Sequence, residues 1–341
     1  MRRYRALIII LMSILVGVGC NKNNKENSYG VSISAPKMVG SAAEVFSNED
    51  INTLRFSNSL TFLLLNQSVK VDEKGIMPSF SFSSLQLIHY IYSIEDTNYL
   101  KSFDTHFAIE DRKALFENIT RIDSLIKGID SSIKAYNSLT ELSPKKIAFS
   151  QSFAIPLIYE GALNQEKLPF MIDDKEIPIE YFTLTERLGL IDNKDVLGID
   201  IPIGNGNYSL LIIQPKEISI KDFISNFSEK DYKDIVDNLS LQTLRVRFPN
   251  LSNSCDYALF LPNIPSEQSP NPTFIQINSE VKILKPTSAE LQLMKKDLDS
   301  ELKASTKTET YLFNKPFLYI IRGKNSNSIL LIGGFIGSES R

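Results

Sequence analysis

The stretch that most constrains the fold lies near the C-terminus: Tyr311-Leu312-Phe313-Asn314-Lys315-Pro316-Phe317-Leu318-Tyr319-Ile320-Ile321-Arg322. It reads as two extended pieces on either side of Pro316, rich in the aromatic and β-branched residues that strands favour. The turn-forming residues Gly323 to Ser328 follow, and then Ile329 to Gly334, an apolar run without polar alternation. Such a run suits a strand buried on both faces. The ending is therefore a buried hairpin, which needs a large body around it. A chain of 341 residues, 43% of them hydrophobic, can supply that core.

The order aromatic, Asn314, Lys315, Pro316, Phe317, apolar run, Arg322, short turn and Ser328-Ile329-Leu330 before Gly333 resembles the C-terminal signature of the serpins. A generic hairpin would fix the alternation but not Asn314-Lys315-Pro316-Phe317. Two further passages resemble the same family. Val196 to Ile203, the turn Gly204-Asn205-Gly206-Asn207 and Tyr208 to Pro215 look like its hairpin ending in Leu-Ile-x-Pro. Leu244 to Ile264 looks like its passage of strand, proline, strand and short helix before Leu-Pro. The resemblance implies an α+β fold of several mixed and antiparallel sheets with surrounding helices. Over residues 95–165 the match is weak, and family members usually carry more chain there, so a shortened member is expected.

Along the rest of the chain, Ser47-Asn48-Glu49-Asp50 offers a cap and an acidic first turn. Ile51, Leu54, Phe56, Leu60 and Leu63 follow at near-helical spacing, which predicts a helix to about Ser68. Gly75 to Ser84 alternates apolar and small residues, and Leu85 to Tyr92 reads as an apolar helix. Residues 97–144 are polar and mostly helical in pattern, with Phe116, Ile119, Ile122, Leu125 and Ile126 as a buried stripe. Ile147 to Ile155 is strand-like, without a sequence clue to which strand it is. Ile177 to Phe182 is a further strand, Lys221 to Leu239 one helix or two, and Leu244-Arg245-Val246-Arg247-Phe248 alternates apolar and basic, so one face is buried and one wet.

The N-terminus carries an address. Met1 to Arg5 is basic, Ala6 to Gly19 is apolar and too short for a spanning helix, and residues 1–19 have the layout of a secretory signal. Gly17-Val18-Gly19-Cys20 resembles a bacterial lipoprotein box, in which Cys20 is lipidated; Gly17 stands where Leu is usual, and an ordinary signal peptide is the alternative. Residues 20–40 are expected to tether the lipid to a single domain over residues 41–341, Asn21 to Tyr29 being too polar to order themselves. The expected location is the bacterial cell envelope, with the chain exported and held to a membrane through Cys20.

Chemistry is sparse. Only Cys255 remains once Cys20 is set aside, so neither an intrachain disulfide nor a two-cysteine site is available. Cys255 reads as a small core residue, and His89, in an apolar helix, as a core histidine. There is no phosphate-cradling glycine loop and no nucleophile elbow, so the expectation is a non-enzyme without cofactor or metal. A net charge of −3 gives no global attraction for nucleic acid.

Serpins offer a loop to a protease and, once cut, insert it as a new strand into their main sheet. The resemblance places the hinge for that movement at Ser279, Glu280, Val281, Lys282, Leu284 and Pro286, where the family has an acid, glycine, threonine and a run of alanine. Only Asn278 and Glu280 fit. On insertion Lys282, Leu284, Pro286 and Ser288 would point inward, leaving a buried ammonium and removing a ladder hydrogen bond. Beyond it, Thr287-Ser288-Ala289-Glu290 is a capping-box pattern, with Leu291, Met294, Leu298 and Leu302 at helical spacing. The family's bait bond would fall near Lys295-Lys296, which suits a trypsin-like serine protease. Two functions follow: a protease-inhibitor-type serpin whose suicide trapping the hinge disfavours, or a non-inhibitory, membrane-tethered binding or structural protein that meets another cell-envelope protein.

Overall fold

The computed structural model describes residues 46–68, 79–129, 133–163, 165–172, 175–261, 272–288 and 309–337, all of them within residues 34–341, one of the two compact units of the chain. Helix α1 (Asn48–Ser68) starts at a reciprocal cap: the Ser47 amide donates to Asp50 at 2.8 Å and the Asp50 amide to the Ser47 hydroxyl at 3.2 Å. Buried Asp50 also ion-pairs with Arg121, which ties α1 to α4 (Arg112–Ile129). Between them lie β1 (Phe80–Phe82), α2 (Ser84–Tyr92) and α3 (Thr97–His106), the last capped by Asp96. His89 on α2 is half-buried and stacks on Phe116, with ring centroids 5.2 Å apart.

The mostly helical pattern expected over residues 97–144 stops earlier. Residues 134–142 form β2 (Lys134–Leu142), an edge strand exposed along most of its length. With neither face buried, it has no period-two signal for sequence reading to find. Its neighbour β3 (Lys146–Pro156) resolves the identity of the apolar stretch: it is the second strand of a four-stranded sheet. The order of that sheet is β2, β3, β10 (Phe274–Leu284), β9 (Asn253–Phe260), with β3 and β10 parallel and the other pairs antiparallel.

The remaining strands make a nine-stranded sheet. They are β4 (Gln165–Ile172), β5 (Lys175–Asp192), β6 (Val196–Ile203), β7 (Tyr208–Pro215), β8 (Ser240–Pro249), β11 (Thr310–Leu312), β12 (Phe317–Gly323) and β13 (Ile329–Phe335), together with β1. Their path runs β1-β13-β12-β7-β6-β5-β8-β11, with β4 added on β5. Strand β5 is 18 residues long and pairs with β4 and β8 along most of its length and with β6 at its end. Helices α5 (Ile220–Asn226) and α6 (Glu229–Asp237) connect β7 to β8. The alternation in β8 is seen directly: Leu244, Val246 and Phe248 are buried and Arg245 is exposed.

The C-terminal hairpin sits where the sequence pattern puts it. Every residue of β12 and β13 is buried, and β12 is flanked by β7 and β13. Gly333 allows the closest approach, since a β-carbon there would run into the Tyr319 ring and the Phe80 carbonyl. Phe317 stacks on Phe335 with centroids 5.2 Å apart. Arg322 meets Asp200 with both carboxylate oxygens, at 2.8 and 3.1 Å, and donates to Asn327 at 2.8 Å, so its buried charge is matched by geometry as well as sign.

Candidate functional site: the seam between β3 and β10

Period-two alternation decides what faces inward along the seam. Ile275, Ile277, Ser279 and Val281 of β10 lie opposite Ile147, Phe149, Gln151 and Phe153 of β3. Most of these inward residues are apolar, and the rung Gln151, Ser279 and Cys255 is not. A polar rung in a core is costly unless satisfied. Here Gln151 Nε2 donates to Ser279 Oγ and to the Ser81 carbonyl, each at 3.0 Å, while the Ser81 and Ser279 hydroxyls hydrogen-bond each other and Tyr257 donates to the Ser81 carbonyl. Burial pushes the Cys255 thiol up to about 11 and holds the Tyr257 hydroxyl well above its usual range, so both stay protonated at neutral pH. The network links β1, β3, β9 and β10 at one point. Sequence reading missed it, because its members come from four distant segments and none carries a local signal.

Toward Leu284 the seam stays shut. The β3–β10 register runs without a break from Phe274–Lys146 to Leu284–Pro156. Beyond it the Leu157 amide donates to the Leu284 carbonyl at 3.0 Å, and Lys285 Nζ reaches Gln165 at 3.0 Å. The Gly204 amide and the Tyr159 hydroxyl anchor this end of β3 to the β6–β7 hairpin, at 3.2 Å to Pro156 and 2.7 Å to Pro202.

The residues assigned to the hinge are therefore strand residues over most of their length. Ser279 and Val281 point into the core; Glu280 and Lys282 stand on the outer face, joined by an ion pair of 2.9 Å, with Ser152 donating to Glu280 at 3.2 Å. Leu284 is 37% exposed and Pro286 is buried. For a strand to enter between β3 and β10, the chain would have to reverse near β-branched Val281, and Lys282 would leave its outer-face partner for the interior.

The signature residues lead from β11 into β12 of the nine-stranded sheet. The Lys315 amide donates to Gln214 at 3.1 Å, and the Asn314 carbonyl accepts from the Met171 amide at 2.7 Å. Phe313 and Phe317 are buried edge to face, and Pro316 is half-buried. Cys20, Lys295 and Lys296 lie outside the described residues, as do the helical positions Leu291 to Leu302.

No protein-family model and no curated protein sequence matches the chain. Solved structures do. A crystal structure of native protease nexin-1 with heparin superposes with a TM-score of 0.61 at 12% identity, covering 85% of this chain and 100% of that one. The structure of a tumour-suppressing serpin gives 0.60 at 12% identity, over 84% of this chain and 100% of that one. SRPN18 from Anopheles gambiae gives 0.59 at 12% identity, over 85% and 99%. At this identity the likeness concerns architecture, and it extends over most of the chain. With mixed sheets, a buried terminal hairpin and a four-stranded sheet whose two middle strands run parallel, this is a serpin-fold protein.

Proposed function

We propose that the chain is a protease-inhibitor-type serpin in which the four-stranded sheet stays closed. It offers the segment between Pro286 and Thr310 to a trypsin-like serine protease at Lys295-Lys296 and meets that protease as a substrate-like or reversible partner, not as a trap. In this reading the chain is not an enzyme, and it works from a membrane of the cell envelope, held there by lipid on Cys20. The observation that supports the reading best is the unbroken register of β10 on β3 up to Leu284–Pro156, which takes in five of the six residues proposed as the hinge. Lys282 and Pro286 add chemistry that opposes burial as a central strand.

The same hinge favours a second reading, a non-inhibitory, membrane-tethered binding or structural protein. Incubation with trypsin-like proteases separates the possibilities. Cleavage near Lys295 with no detergent-stable adduct and no rise in melting temperature is the expected result. An adduct that survives boiling in detergent overturns the closed-sheet proposal, and complete resistance to cleavage leaves the second reading.

A further inference from the structure

The alternation of β8 has a counterpart on β5 that gives the nine-stranded sheet a basic outer face. Thr183, Thr185 and Arg187 of β5 pair directly with Arg247, Arg245 and Thr243 of β8. The six side chains therefore share one face, with arginines and threonines opposite each other at every rung. One end of this ladder is neutralised: Arg247 pairs with Glu166 at 3.0 Å, and Thr183 donates to the same carboxylate at 2.9 Å. The other end is open. Arg187 and Arg245 are exposed, and neither has a carboxylate partner among the described residues. Two guanidinium groups on neighbouring strands, without a carboxylate partner among the described residues, stand out on a chain of net charge −3.

Their position matters as much as their charge. Strand β11 lies parallel to β8 with Thr310 opposite Arg245, and the Arg245 amide donates to the Glu309 carbonyl at 2.8 Å. The open end of the ladder thus borders the point where the segment offered to a protease rejoins the sheet. A protein bound near the end of the segment that rejoins the chain at Glu309 would meet Arg245 and, on the next strand, Arg187. The Glu309 carboxylate is already engaged by the Tyr311 hydroxyl at 2.7 Å.

We infer that Arg187 and Arg245 form an auxiliary docking surface for a carboxylate-rich patch on the protein partner that engages the segment between Pro286 and Thr310. The inference rests on the function proposed above and adds the chemistry of the partner. Exposed charges at the rim of an interface act on encounter rate and its salt dependence more than on final affinity, and guanidinium groups suit carboxylates by their forked geometry.

Anionic and cationic trypsins, which share specificity but differ in net charge, are suitable probes. The second-order rate of cleavage within the segment is measured at low and high salt for the wild type, for Arg187→Glu with Arg245→Glu, and for a control carrying Lys101→Glu with Lys221→Glu on α3 and α5. The expected result is that anionic trypsin loses about threefold to tenfold on the ladder variant at low salt. High salt should erase the difference, and the control and cationic trypsin should show no comparable loss. Equal loss in the control, or cleavage indifferent to the ladder, overturns the inference and leaves the proposed function standing. Absence of cleavage in the wild type overturns the proposed function and the inference with it. Ladder-dependent retention on a sulfated polysaccharide, with cleavage unaffected, assigns the face to a glycan and also overturns the inference.

Discussion

Gln151 donates a 3.0 Å hydrogen bond to Ser279 across the boundary between β3 and β10, on a rung where both side chains are buried. Its second 3.0 Å bond, to the Ser81 carbonyl, anchors that boundary to β1 behind it. The two middle strands are thus clasped from the inside. Ser279→Ala removes the bonds to Gln151 and Ser81 together and is expected to lower unfolding free energy by about 1–2 kcal/mol. Urea denaturation measures the loss, and amide exchange in β10 should accelerate with it; an unchanged midpoint would show that the clasp contributes nothing.

The proposed hinge can be rebuilt toward small residues without touching that clasp. Val281→Gly, Lys282→Thr and Pro286→Ala together remove the β-branched turn position, the charge and the missing amide donor. Cleavage of the triple variant near Lys295 should then raise its melting temperature, whereas cleavage of the wild type should not. Differential scanning calorimetry before and after proteolysis reads both. A rise in the cleaved wild type would show that these three side chains do not hold insertion back.

Glu186 sits on the buried face of β5, with no cation beside it among the described residues, and burial pushes its carboxyl up from 4.5 to about 7. A raised carboxylate means that the folded state keeps a proton the unfolded chain has released. Stability is therefore lost as pH rises from about 4.5 through about 7. Glu186→Gln should flatten that decline and stabilise the protein above pH 7 by about 1–2 kcal/mol, after discounting for partial exposure. Melting curves at pH 5 and pH 8 test it; parallel shifts of wild type and variant would exclude Glu186 as the source.

Arg322 and Asp200 make the opposite kind of buried charge, a matched pair. Arg322→Met strands the Asp200 carboxylate in the core and should cost about 3–5 kcal/mol. Adding Asp200→Leu should recover much of that loss, because an apolar pair needs no compensation. A double variant no more stable than the single one would show that packing, not charge, dominates the site.

The parts of this molecule legible in its sequence are those where burial is one-sided or complete. The β12–β13 hairpin declares itself by an apolar run, β8 by strict alternation and α1 by its cap. Strand β2 could not be read, since Lys134 to Leu142 lies in the open on both faces and packing imposes no pattern on it. The second half of β5, from Thr183 to Asp192, also escaped, because its inward set includes Glu186 and its outward set, Thr183, Thr185 and Arg187, is polar but carries no turn or charge pattern of its own. The seam network was invisible for a different reason. Ser81, Gln151, Tyr257 and Ser279 become neighbours only after the chain has folded, and no local pattern marks any of them.

The Gln151–Ser279 contact joins positions 128 residues apart. Most of the nine-stranded sheet is encoded between them, so β3 must wait for its parallel neighbour until that intervening chain has been made. Closure over so long a loop comes late in folding. Until then an emerging chain exposes one side of β3 as an unpaired ribbon, and folding helpers would have the longest time to act on that strand.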